Sequence, residues 1–193
     1  MKKIALLLSV FALIATSCSS DGDDDTNTPS TTTGTQLKKV IETYGDGTVE
    51  TVNLTYNGNK IVSIISDFEE KTVYTYTGDL ITKEEFYFED ELEDVTVLVY
   101  NASQKLIKST RTSGSVVVVD NFTYNTNNTV SFTTTSDGNT EATGTIYFNG
   151  DQPYKKVITR YFIDPFGGDP IQEDTVEETT FDNKVNPLAN VLG

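Results

Sequence analysis

The chain has no histidine, no tryptophan, one cysteine and five prolines in 193 residues. Several of these shortages close off a class of chemistry. Without histidine neither a Ser–His nor a Cys–His pair can form, which excludes nucleophilic catalysis of that kind. The usual zinc site and haem capture through an imidazole go with it, and no cofactor is expected. One cysteine cannot make an intramolecular disulfide. Basic residues are scarce too: 14 Lys and Arg stand against 29 Asp and Glu, a net charge of −15. Phosphate binding needs a basic footprint, so the composition argues against nucleic acid as a partner. It also argues against attraction of the folded part to an anionic bilayer surface. Solubility in the open is the plain reading of the acidity, and a specific cationic ligand is the other.

What is present begins with an export signal. Lys2 and Lys3 form a charged start, and Ile4 to Ile14 is an apolar run too short to span a bilayer as a stable helix. The small residues Ala15, Thr16 and Ser17 lead into Cys18, the chain's one cysteine. This arrangement resembles a lipobox, with Ala15 where Leu is usual. By that resemblance residues 1–17 are a lipoprotein signal peptide, and Cys18 carries diacylglycerol and palmitate as the mature N-terminus. Loss of Lys2 and Lys3 from the 14 basic residues leaves 12 against 29 acids, a net of −17. Asp21, Asp23, Asp24 and Asp25 follow at once. They resemble the acidic surface-export signal of Bacteroidota lipoproteins, which implies a lipid-anchored protein on the outer face of the outer membrane. A solvated acidic linker is the alternative. A calcium loop is a third reading, but the flanking Thr- and Ser-rich stretch offers no ordered ligand array. Residues 18–35 are Ser, Thr, Asp and Gly-rich and are expected to be a disordered tether.

Residues 36–193 read as one domain built from a repeat. Tyr56, Tyr76, Tyr100, Tyr124 and Phe148 each precede a cluster of Asn, Gly, Asp, Thr or Ser and then a β-rich segment. The first spacing is 20 residues and the later ones 24, with Phe181 a sixth candidate. Second turns fall between the anchors, at Asp67–Glu70, Glu89–Glu91, Ser113–Ser115 and Asp137–Asn139, with an earlier one at Tyr44–Gly47. Each period therefore holds two strands and two tight turns. Val52, Leu54 and Tyr56 alternate with Thr51, Asn53 and Thr55, the pattern of a sheet with one buried face. The fold expected is all-β, an antiparallel up-and-down meander of about twelve strands. An open or closed barrel is the first choice, because so long a meander should curl over its apolar face. A long twisted single-layer sheet is the alternative. The anchors are expected to stack along one buried face.

Hairpins of this form, and the closing phrase FDNKVNPLANV, are similar to the YD-type repeats of uncharacterised surface lipoproteins of Bacteroidota. The resemblance implies a fold and a location and no activity. The function expected is a non-catalytic binding or cell-envelope module, anchored to the membrane through its lipid, with a glycan or protein partner.

Three places could carry chemistry. Tyr161 and Phe162 lie just before, and Phe166 within, the Pro165–Pro170 loop, an insertion that breaks the repeat. Irregular loops on a regular scaffold are where binding concentrates, which makes these a candidate ligand loop; a plain connector is the other reading. Glu84, Glu85, Glu89, Asp90, Glu91, Glu93 and Asp94 crowd one hairpin. Paired carboxylates there could serve a glycosidase-like hydrolase, the alternative function. Solvated charge guarding the strands is the simpler account. Asp174-Thr175-Val176 resembles the short O-glycosylation sequon of Bacteroidota, which makes Thr175 a candidate acceptor, although so short a pattern also arises by chance.

Overall fold

The computed structural model describes residues 36–150, 152–162 and 171–180. Cys18, Asp21, Asp23, Asp24, Asp25, Phe166 and Phe181 lie outside the described residues. Twelve strands follow one another: β1 (Lys39–Thr43), β2 (Val49–Asn57), β3 (Lys60–Ser66), β4 (Glu70–Thr77), β5 (Leu80–Phe88) and β6 (Glu91–Tyr100). The series continues with β7 (Leu106–Ser113), β8 (Val116–Tyr124), β9 (Thr129–Ser136), β10 (Asn139–Asn149), β11 (Gln152–Phe162) and β12 (Ile171–Glu178). All belong to one antiparallel sheet in sequence order, and each strand contacts only its neighbours in the chain. Among the described residues no helix is long and apolar enough to cross a membrane.

The turns fall where the sequence places them. Gly58, Gly78 and Gly150 follow the anchors with positive φ, a conformation that costs glycine nothing. At the other end of the hairpins Glu69, Glu89, Asp90 and Asp137 adopt positive φ without being glycine. The Asp137 carboxylate accepts a bond from the N–H of Val117 on the strand before, at 3.1 Å, and Asp67 does the same for Thr51 at 2.9 Å.

Register divides the side chains between two faces. One face carries Val52, Leu54, Tyr56, Ile64, Tyr74, Phe86, Leu98, Phe122, Phe132, Ile146 and Ile158. The other carries Thr51, Ser63, Val73, Val97, Thr110, Val119, Thr133, Thr145 and Thr159. The buried apolar residues Val52, Ile61, Val130, Phe132 and Ile158 all lie on the first, aromatic face. Glu50 is buried there as well. It accepts hydroxyl bonds from Tyr44 and from Ser66, while Ser66 Oγ receives the N–H of Phe68 at 3.0 Å. These bonds satisfy a carboxylate that burial alone would penalise.

The sheet does not close. β1 and β12 are not paired, so the architecture is the long single-layer sheet and not a closed barrel. The aromatic face explains why. Across β6–β8 it carries Asp94, Arg111, Ser109 and Asp120 beside its apolar residues. A packed barrel core would have to bury those charges.

The anchors share the aromatic face, and they differ in burial. Tyr56, Tyr76 and Tyr100 are half-buried, and Tyr124 is 39 % exposed. Tyr56, Tyr76, Tyr100 and Phe148 each sit where the ladder slips by one residue, and the first three oppose Ile61, Ile81 and Leu106. Such a bulge turns the aromatic relative to its strand. Tyr56 donates its hydroxyl to the carbonyl of Leu37 at 2.6 Å, and Tyr76 to that of Ile61 at 2.9 Å, each on the strand side that precedes it. Their neighbours are cations: Lys60 lies 5.4 Å from the Tyr76 ring centre, and Lys105 lies 4.7 Å from that of Tyr124. Lysine stems from the turns thus lie over the Tyr76 and Tyr124 rings.

Candidate binding groove

A groove of about 370 Å³ opens on the aromatic face over β9–β11. Its apolar part is Phe132, Ala142 and Ile158, which lie on three adjacent strands. Gly144 stands between Phe132 and Ile158 in the register. A β-carbon at Gly144 would come within 2.5 Å of the Phe132 ring and 2.3 Å of the Val157 carbonyl. The missing side chain therefore lets the ring lie across the next strand.

Cations line the groove. Lys156 Nζ stands 5.1 Å from the Phe132 ring centre. Arg160 donates from Nη1 to Thr175 Oγ1 at 3.1 Å and holds Nη2 3.9 Å from Glu177. Glu141 is the one acid among the lining residues. Tyr161 and Phe162, the first two residues of the candidate ligand loop, both border this groove. Tyr161 shares the threonine face with Thr143 and Thr159, half-buried with its hydroxyl 3.3 Å from Thr143, so its ring turns away from the groove, whereas Phe162 is 45 % exposed on the aromatic face. Exposed aromatic surface, an apolar floor and two cations in one cleft can hold an amphipathic or sugar-like ligand, with the guanidinium orienting an acidic group. Thr175 is half-buried on β12, and its oxygen already accepts the Arg160 bond.

Sequence reasoning singled out Tyr161 and Phe162 but missed Phe132, Gly144, Lys156 and Arg160. One cue was present: Gly144 sits inside a β-rich run, and glycine within a strand marks a close approach.

The acidic hairpin is divided by the same register. Glu89 and Asp90 form the turn, and Glu91 and Glu93 are exposed. Glu85 pairs with Lys83 at 3.0 Å. Glu84 and Asp94 alone among the seven combine half-burial with the aromatic face, as diagonal neighbours on β5 and β6. Burial raises the Glu84 carboxyl above the usual range. The hydroxyls of Tyr74, Tyr76 and Tyr100 are raised as well, first by burial and then by the Glu84 charge. Asp94 Oδ1 is buried without a hydrogen-bond partner. Among the described residues, no group of three or more His, Cys, Asp or Glu side chains is placed to hold a metal ion.

Comparison with known proteins adds a family. A profile described as an uncharacterised protein matches residues 33–160, well over half of the chain. No curated protein matches the chain.

Proposed function

The chain belongs to that family of uncharacterised proteins, and from this premise we propose that it is a non-catalytic, lipid-anchored module of the outer membrane surface that binds a ligand in the groove of β9–β11. The reading rests on one observation. Phe162, at the start of the repeat-breaking loop, meets Arg160, Lys156 and Phe132 in a single cleft on the aromatic face. The lipobox-like start supports the anchor, and Asp21, Asp23, Asp24 and Asp25 support surface exposure. The kinship with repeat-built lipoproteins of Bacteroidota belongs to the same proposal.

The test is an array of glycans and peptides probed with the protein and with F162A and R160Q. Binding that disappears in both variants, while their melting curves match the parent, supports the groove. Binding that survives both changes places the ligand elsewhere.

A second reading has its own observation. Glu84 and Asp94 are diagonal on the aromatic face, and Glu84 is held in the protonated direction, as the acid of a glycosidase pair would be. Turnover of any glycoside that E84Q and D94N both abolish would favour this hydrolase over a binding module.

A further inference from the structure

Among the described residues the open sheet has two edges, β1 and β12, and their backbone groups can be assigned. Leu54 N–H bonds the Lys38 carbonyl at 2.9 Å. By antiparallel alternation Val40 and Glu42 also turn their backbone groups to β2, so Lys39, Ile41 and Thr43 turn theirs outward. Thr179 N–H bonds the Tyr154 carbonyl at 2.9 Å. By the same alternation Glu177, Thr175 and Glu173 face β11, and Glu178, Val176 and Asp174 face outward.

The side chains of both outward sets lie on the threonine face. There β12 is held by a specific triad of β11. Lys155 pairs with Glu178 at 3.5 Å, Val157 opposes Val176, and Thr159 Oγ1 donates to Asp174 at 2.7 Å. The same series recurs on β1 as Lys39, Ile41 and Thr43, on the same face and with the same alternation. Ile41 and Val176 are 62 % and 55 % exposed, two large apolar side chains on opposite edges.

The geometry points to edge-to-edge association of copies of this chain, with β1 of one seated antiparallel on β12 of the next. Lys39 then opposes Glu178, Ile41 opposes Val176, and Thr43 opposes Asp174. Each β12 carboxylate has a second oxygen to receive the new partner, and Val176 lies between Val157 and Ile41. On the aromatic face Val40 meets Glu177 and Glu42 meets Thr175, so no like charges oppose. Pairing of two β12 edges is disfavoured by Glu173, Asp174, Glu177 and Glu178. The contact is heterologous and does not close, so it grows as a head-to-tail sheet.

The test uses the full-length chain carrying I41C and V176C, compared with each single variant and with the parent, which retains Cys18 in every case. Paired strands place the two Cα atoms about 5.5 Å apart, within disulfide range. Mild oxidation should give a ladder of covalent oligomers from the double variant, and a dimer when I41C and V176C chains are mixed. A fast-migrating monomer would mean that the two edges meet within one chain, and it overturns the proposal. So does the absence of any product above the parent. Adding K39E should lower ladder yield severalfold, and E178K on top of it should restore the yield. A yield indifferent to both overturns the register.

Discussion

Phe132 lies across Gly144 of the neighbouring strand so closely that a β-carbon at Gly144 would reach 2.5 Å from the ring. Gly144→Ala should therefore destabilise the protein by about 1–3 kcal/mol, the usual cost of overpacking. Phe132→Leu in that background should recover part of the loss by clearing the ring, while the Val157 carbonyl contact keeps the rest. Thermal melts of the parent and these two variants measure this. An unchanged melting temperature for G144A would show that the strand yields without cost.

The half-buried Glu84 makes stability depend on pH. Its folded pKa is raised, chiefly by burial, so the protonated form favours the fold. Stability from this group is fully present below the unfolded value, about 4.3, and is lost as pH rises through the folded pKa. Glu84→Gln should match the parent near pH 4 and melt at a higher temperature at pH 7. Melting curves across that interval decide it, and equal temperatures at pH 7 would contradict the burial of the charge.

The anchors should act as partial core. Tyr100 is half-buried, so Tyr100→Ala should cost roughly half of the ~3–5 kcal/mol lost by a fully buried aromatic. The more exposed Tyr124 should cost less. Thr123→Ala, on the threonine face, should cost under about 1 kcal/mol. Tyr56→Phe removes the hydroxyl bond to Leu37 and should cost about 1 kcal/mol. Denaturant midpoints in that order support the anchors as packing residues. Binding lost without a change in stability would make them a ligand platform.

The proposed membrane anchor is tested at Cys18. Cys18→Ala should abolish palmitate incorporation and release soluble or uncleaved protein. Replacing Asp23, Asp24 and Asp25 by Ala should keep the protein labelled but shield it from protease added to whole cells. Palmitate labelling that persists in Cys18→Ala, or equal protease access in the triple variant, removes the corresponding step.

The hairpin rhythm was legible because turns need particular residues: the aromatic followed by Asn–Gly, Thr–Gly, Asn–Ala or Asn–Thr announces every second reversal. The faces were harder to read. Alternation holds within a strand, but the bulges at Tyr56, Tyr76 and Tyr100 each insert a residue, so counting by twos across a hairpin loses the phase. That hid Asp94, Arg111 and Asp120 from the face they share with the anchors, and with them the reason the sheet stays open. The groove was half visible for a related cause. Phe162 stands beside the repeat-breaking loop and announced itself, whereas Phe132, Gly144 and Ile158 meet only across strands.

Because each strand contacts only its neighbours in sequence, every contact of this sheet is made between segments a few tens of residues apart. Contact order is therefore low for an all-β chain, and the loop-closure entropy that slows most β-sheet folding is small at each step. A chain delivered end first can zip up hairpin by hairpin without waiting for its other terminus. Stability accrues as a sum of nearest-neighbour interfaces, as in a linear array. Pulled by its ends, the same sheet should yield in successive small steps of one hairpin each, with no single barrier guarding the whole.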